Sequence, residues 1–302
     1  MERIRTLAAR AKAYLAAHKW ARIAACILAA YIVLSIVLHP LGQKTYLVLG
    51  MDNYGSLEET GRSDVIMLAQ VDFTRTRINA VTFTRDMLIE NEKGRLTKIN
   101  TVVRGSDEQT LCDLLYQNFG VKVDGWFRVN FTSVIQLVDA IGGAEVELTQ
   151  PEVKYLAGKG LDVYADNPLQ EGKSRLNGAQ ALAYARCRKL DNDLGRGERQ
   201  GKLISAMVRQ TKHLNAARIA GVFNSLKHAW RSSYSIGEQV KLLFQALWLR
   251  GAKVEILGMP FDGAWHYGNV GSTSGIVANL EKNKTLLLEA LGRPVPAEAP
   301  AP

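Results

Sequence analysis

The longest unbroken apolar stretch lies near the start of the chain, where Ile23 to Leu38 runs sixteen residues without a charge. As a helix it reaches about 24 Å, short of a hydrocarbon core of about 30 Å. Trp20 and Arg22 at one interface and His39-Pro40 at the other extend the usable span to about 20 residues. The pattern predicts a transmembrane helix over 23–39. No small-x-small cleavage site follows Leu38, so the helix reads as an uncleaved anchor rather than a signal peptide.

Beyond it the period alternates. Tyr46 to Leu49, Val65 to Val71 and Ile78 to Phe83 read as strands, followed by a turn-rich section to Thr101. Ser106-Asp-Glu-Gln109 reads as a capping box for a helix that places Leu111, Leu114, Leu115 and Phe119 on one face. Trp126 to Phe131 alternates as a strand, and Thr132 to Ile141 follows as a helix stopped by Gly142-Gly143. Val146 to Leu148 is a strand. Asn177 caps a helix through Ala185, and another helix begins near Arg196. Ser235-Ile-Gly-Glu238 is a capping box before Val240 to Leu249, Val254 to Leu257 is a last strand, and a terminal helix spans Gly275 to Leu291. Strands interleaved with helices predict an α/β fold, a central mixed β-sheet flanked by helices, in one domain over 45–293. Pro294 to Pro302 reads as a solvated tail.

Composition changes little in this picture. With 47% apolar and 22% charged residues among 302, the chain is neither collagenous nor low-complexity. Its three cysteines, Cys26, Cys112 and Cys187, are too far apart for a zinc ribbon, and spacing supports no disulfide between the last two. The five histidines are scattered without an H-x-x-x-H pair. Charge matters more for where it sits. Of the net +9, residues 1–22 hold six basic side chains against Glu2 alone, leaving +4 for the other 280 residues. That surplus is too thin for a nucleic-acid surface. The basic segment instead marks the cytoplasmic side of a single-pass cell-membrane protein, touching anionic lipid, with everything from Pro40 onward outside.

Two carboxylates and an arginine sit where strands end. Asp52 follows Tyr46 to Gly50, Asp64 precedes the next strand, and Arg85-Asp86 terminates the third. Singly, each reads equally as a loop residue satisfying backbone groups. A denser cluster comprises Arg186, Arg188, Arg196, Arg199 and Gln200; arginine's planar fork suits phosphate oxygens, which favours an anionic ligand.

These residues carry a family resemblance. Leu47-Val-Leu-Gly-Met-Asp52, Gly61-Arg-Ser-Asp64, Thr84-Arg-Asp86, Lys98-Ile-Asn100, Val138-Asp-Ala-Ile-Gly-Gly143, Leu176 to Arg186 and Gly195-Arg-Gly-Glu-Arg-Gln200 occur in the order and spacing of the LytR-CpsA-Psr proteins of bacterial envelopes. The match covers residues 45–212. The resemblance implies an α-β-α sandwich with an apolar pocket for a polyprenyl chain. It also implies transfer of a glycopolymer from a polyprenyl diphosphate carrier to peptidoglycan, through a new phosphodiester at a sugar hydroxyl. By motif, Asp52 and Asp64 correspond to an acidic pair that holds a divalent ion, magnesium or manganese. Arg85, Arg186 and Arg188 correspond to the arginines on the diphosphate, supported by Arg62, Arg196, Arg199 and Gln200. Lys98 and Asn100 either contact substrate or brace a turn. One departure stands out: Thr84 occupies a position where the family usually has proline, which is expected to loosen the turn presenting Arg85.

The chemistry is coherent with that assignment. Magnesium takes oxygen ligands and keeps several waters, so one or two carboxylates plus phosphates make a site. Arginines neutralise the departing polyprenyl phosphate, and Asp52 or Asp64 accepts the attacking hydroxyl's proton. Hydrolysis of the same diphosphate is the alternative reading, and a membrane-bound transcriptional regulator a third. Trp126, Phe127 and Phe131 belong to the core or to the lipid pocket.

Overall fold

The computed structural model describes Ile23, Cys26 and residues 42–57, 63–105, 107–161, 168–187, 190, 193–214, 221–222, 229–249, 251–271 and 273–294. The chain divides into two units, residues 1–40 and 41–302. In the first, Ile23 and Cys26 are helical. The rest of the expected basic segment and anchor lies outside the described residues, as do Arg62, Arg188 and the tail beyond Pro294. No helix among the described residues is long and apolar enough to cross a membrane.

The second unit opens with β1 (Gln43–Met51), β2 (Ser63–Asp72) and β3 (Arg77–Phe83), which cover the three expected strands and run past them. The ladder continues into polar flanks, with Gln43 opposite Asp72 and Asp72 opposite Arg77. The section expected to be turns instead holds β4 (Met87–Glu90), β5 (Leu96–Lys98) and helix α1 (Ile99–Gly105). Its strands are too short to show alternation, and Asn91 closes their hairpin by accepting from the N–H groups of Lys93 and Arg95.

Helix α2 (Glu108–Phe119) is capped by Asp107, whose carboxylate accepts the Thr110 N–H at 2.9 Å, one residue after the expected Ser106. Strand β6 (Gly125–Val129) stops short of Phe131 because Asn130 and Ser133 form a reciprocal cap for α3 (Phe131–Ala140). There follow β7 (Ala144–Leu148), α4 (Gln150–Ala157), β8 (Gly172–Leu176), α5 (Gly178–Ala185) and α6 (Asp193–Gln210). After β9 (Arg231–Ser232), α7 (Ile236–Ala246) starts behind Ser235, whose N–H donates to the Glu238 carboxylate while its hydroxyl oxygen accepts the Glu238 N–H at 3.4 Å, the reciprocal pair of a capping box. Strand β10 (Lys253–Met259) precedes β11 (Trp265–Val270) and β12 (Thr273–Ala278). The expected terminal helix is therefore two elements. Asn279, accepting the Lys282 N–H at 3.0 Å, separates β12 from α8 (Leu280–Ala290).

The main sheet is mixed and six-stranded, in the order β10-β3-β2-β1-β6-β9, with parallel pairs at β10/β3 and β1/β6. A four-stranded sheet, β11-β12-β4-β5, and the β7-β8 pair accompany it. Alternation along β1 sends Leu47 and Leu49 to one face, where they pack with Ile66, Leu68, Val81 and Phe83 against Leu111, Leu115 and Phe119 of α2 and Leu287 of α8. Val48 points to the other face, towards a cavity walled by α3, α5 and α6. Helices on both faces make the expected sandwich. A second core joins Val138, Val146, Leu156, Leu176, Tyr184 and Leu203 beneath those helices. Cys112 and Cys187 are buried and carry free thiols, and burial pushes the Cys112 thiol up to about 12.

Candidate active site

The site is assembled at the end of β1. Its register against β2 shifts between Gly50 and Met51, where Gly50 faces Val65 and Met51 faces Ser63, so Asp64 is the unpaired extra residue of β2, and Gly50, Met51 and Asp52 line the cavity beside β1. Gly50 leaves room there, because a Cβ would sit 3.0 Å from that of Val65 and force it to shift. Across the strand pair, Asp64 near the start of β2 lines the same cavity.

Each carboxylate faces guanidinium from a distant element. Asp64 lies 3.4 Å from Arg85 Nη1 and 3.4 Å from Arg196 Nη2, and Arg196 also reaches the Asp64 carbonyl. Asp52 lies 3.5 Å from Arg186 Nη2. The environments differ: the Asp64 side chain is 14% exposed and that of Asp52 46%. Arg186 also stacks on Phe131, its guanidinium carbon 4.0 Å from the ring centroid, and Tyr54 packs edge-on to the same ring.

Helix placement explains how these arginines arrive. Asn177 and Gln180 cap α5 reciprocally, and Gly178 donates its N–H to Asp139 of α3 at 2.7 Å. A Cβ on Gly178 would fall 2.3 Å from the Ile135 carbonyl oxygen, so only glycine lets α5 lie this close to α3. Arg186 is the C-cap of that helix. On α6, Arg196 and Gln200 are four residues apart and share a face. Arg199 points elsewhere: it is buried, donates to the Cys187 carbonyl at 2.7 Å and faces Glu152 at 3.8 Å. It fixes the segment that follows Arg186.

Arg85 is held from behind. Its Nε lies 3.5 Å from Asp86, which in turn takes Lys98 Nζ at 2.9 Å, and Asn100 donates its N–H to the Arg85 carbonyl. Burial works against ionisation of Asp86, but the Lys98 hydrogen bond and the two cations beside it hold its carboxyl below the usual range. Lys98 and Asn100 thus brace the turn in this structure, and with Arg199 they line neither of the two cavities described here. Thr84, expected from the resemblance to loosen that turn, is held on both sides by hydrogen bonds. Its N–H, which proline would lack, donates to the Met259 carbonyl at 2.8 Å, and its carbonyl accepts from Met87.

Two cavities meet at this cluster. One, of about 840 Å³, is walled largely by apolar side chains of β1, β2, α3, α5 and α6; Asp52, Asp64, Arg186, Arg196 and Gln200 are among its polar residues, with Lys159, Asn130 and Ser133 elsewhere in the lining. The other, of about 1130 Å³, opens towards β10 and β11 and is lined by Asp64, Arg85, Arg196 and Gln200 among others. Asp64, Arg196 and Gln200 belong to both.

A family model for the LytR_cpsA_psr family matches residues 24–286. The chain belongs to that family. Among its LytR_cpsA_psr relatives, TagU of Halalkalibacterium halodurans, named a polyisoprenyl-teichoic acid–peptidoglycan teichoic acid transferase, is 29% identical over 232 residues, 72% of this chain and 68% of its own. TagV of Bacillus subtilis, of the same name, is 26% identical over 180 residues, 57% of this chain, which spans only 45% of TagV. Of solved structures, "TagT bound to LIIa-WTA" aligns with a TM-score of 0.66 at 21% identity, over 83% of this chain and 91% of that one. At that identity the likeness is one of fold, and it places the mixed sheet and its flanking helices within the LytR_cpsA_psr architecture.

The two carboxylates at the junction are oxygen donors of the kind a hard divalent cation takes. Their chain neighbours Asn53 and Ser63 have buried side-chain oxygens with no hydrogen-bond partner among the described residues, but they line neither cavity. No group of three acidic, histidine or cysteine side chains poised for a metal occurs among the described residues, so remaining ligands would have to be phosphate oxygens and water. Sequence reasoning missed Phe131 as the platform for Arg186 and Glu152 as the partner of Arg199. Both contacts join residues far apart in the chain, and no local signal announces them.

Proposed function

We propose that the protein transfers a glycopolymer from a polyprenyl diphosphate carrier to peptidoglycan, as an enzyme anchored in the cell membrane by residues 23–39 with the folded unit outside. The observation that carries this reading is the 840 Å³ largely apolar cavity whose polar residues include Asp52, Asp64, Arg186 and Arg196. A polyprenyl diphosphate is a long hydrocarbon ending in two phosphates, and the cavity offers hydrocarbon and guanidinium in that sequence. An enzyme for water-soluble diphosphates needs no such chamber. The names of the TagU and TagV relatives point to the same chemistry.

In this reading Arg85, Arg186 and Arg196 neutralise the diphosphate, with Arg62 and Arg188 adding to them, and Arg199 positions the segment that carries Arg186. A sugar hydroxyl of peptidoglycan attacks the phosphorus that bears the glycopolymer, forming a new O–P bond. The bond to polyprenyl phosphate breaks, its electron pair leaving with that phosphate, and the hydroxyl proton passes to a carboxylate, Asp64 or Asp52. Asp52 and Asp64 would also hold magnesium or manganese, which when bound lowers the charge of the phosphate oxygens.

The test supplies full-length protein in detergent with lipid-linked glycopolymer, with and without peptidoglycan. Polymer joined to peptidoglycan through a phosphodiester supports transfer. Equal release of polymer in both samples would instead assign a hydrolase. A reporter fused after Pro302 decides sidedness, since the third reading, a transcriptional regulator, requires the folded unit in the cytoplasm.

A further inference from the structure

Beyond Arg85 and Arg196 at its inner end, the second cavity has no task in the donor half of that reaction. It begins at the shared residues Asp64, Arg196 and Gln200 and extends away from the apolar chamber, between the ends of β3 and β10, strand β7, helix α6 and strand β11. Strand β11 is the outer strand of its sheet. Trp265 and Tyr267 project from the same side of it, edge to face with centroids 5.2 Å apart, and Tyr267 is 74% exposed. Both rings line the cavity. An exposed tyrosine buttressed by a tryptophan in a groove is a stacking surface for the apolar faces of sugar rings. Besides the shared Asp64 and Arg196, the groove carries Glu147, Glu171, Glu198 and Asp262 against Arg85, Lys202 and Arg209. Carboxylates in excess accept hydrogen bonds from hydroxyl and amide groups and repel a polyanion.

We propose that this groove is the acceptor subsite, binding a glycan strand of peptidoglycan along Trp265 and Tyr267 and delivering its hydroxyl to Asp64. The inference rests on the transfer reading and adds direction to it. In phosphoryl transfer the entering and leaving oxygens lie roughly in line on opposite sides of phosphorus. With polyprenyl phosphate departing into the apolar chamber, the entering hydroxyl must come from the other side of the arginine cluster, where the groove opens. The donor's own polymer, when anionic, is the poorer fit because acids outnumber bases along the walls.

The experiment uses the full-length protein and a tetrasaccharide prepared from peptidoglycan. Calorimetry without donor measures tetrasaccharide binding, and the transfer assay measures KM for acceptor and for donor separately. Tyr267→Ala is expected to weaken tetrasaccharide binding and raise the acceptor KM at least fivefold, with the donor KM unchanged. Tyr116→Ala, at an exposed tyrosine on α2 that lines neither cavity, is the control and leaves both alone. Unchanged binding and acceptor KM in Tyr267→Ala and in Trp265→Ala/Tyr267→Ala, with native circular dichroism, overturn the proposal. A raised donor KM with unchanged acceptor KM overturns it too, by assigning the groove to the donor's polymer. Failure of the transfer reading is separately visible, as a wild type that joins no polymer to peptidoglycan; the Tyr267 dependence of tetrasaccharide binding then still decides for or against a glycan groove.

Discussion

Arg186 makes two contacts of different kinds, an ion pair with Asp52 at 3.5 Å and a stack on Phe131 at 4.0 Å. A lysine would keep the first and lose the planar fork and much of the second. Arg186→Lys is therefore expected to lower kcat/KM for transfer by about tenfold, roughly 1.4 kcal/mol. Unchanged turnover would mean that charge alone suffices there. Lys98 offers a test by pH. Its ammonium helps keep the Asp86 carboxyl below its ordinary value, so the pair stabilises the fold when Asp86 is ionised. For a depressed carboxylate that contribution is complete above the unfolded pKa, about 3.9, and disappears as pH falls through the folded value. Urea unfolding should accordingly show a deficit for Lys98→Met at pH 7 that shrinks below about pH 4. A deficit independent of pH would separate Lys98 from Asp86. Neither contact is legible from sequence in the same degree. Lys98 and Asp86 lie twelve residues apart and flank one hairpin, whereas Arg186 and Phe131 meet only because α3 and α5 pack together.

That packing depends on α5 and its approach to α3. Gly178→Ala would drive a methyl group to 2.3 Å from the Ile135 carbonyl oxygen, which as backbone cannot swing aside. The variant should lose at least ~2 kcal/mol in denaturant unfolding, beyond any gain in helix propensity. It should also lower transfer, because Arg186 rides at the far end of the displaced helix. Helices with side-chain caps were the more readable elements. Asn177 and Ser235 mark true starts, and the apolar runs of β1, β2 and β3 stand out because both of their faces are covered. The stretch from Gly275 was ambiguous for a physical reason. Ile276 and Val277 fit a helical period running into Leu280 and Leu287, and only pairing with β11 and β4 makes them a strand. The four-stranded sheet, and with it the β11 wall of the second cavity, is not legible for that reason and because β4 and β5 are too short to alternate.

For the molecule as a whole, the sheet is a partition. One face is sealed by α2 and α8, while the other keeps a chamber that apolar side chains line without filling. Ala183 of α5 is in its wall, and Ala183→Trp should occupy part of the space a lipid chain would use. Co-purified or added polyprenyl lipid should then bind at least tenfold more weakly, with thermal stability little changed. Undiminished lipid binding would place the chain elsewhere. The site motifs were legible as motifs, yet their convergence was not, since it takes β1, β2, β3, α5 and α6 to bring Asp52, Asp64, Arg85, Arg186 and Arg196 to one wall. A last feature concerns the two ends of the folded unit. Arg293, just past α8, donates to Gln70 and to Thr45, near the beginning of β1. Entry and exit of the polypeptide are thus stitched side by side, and a short glycine-rich bridge from 293 to 42 could close the backbone into a ring. Reopened at the exposed turn around Gly160, a circular permutant of the folded unit should keep a native circular dichroism spectrum, its architecture indifferent to where the ribosome starts.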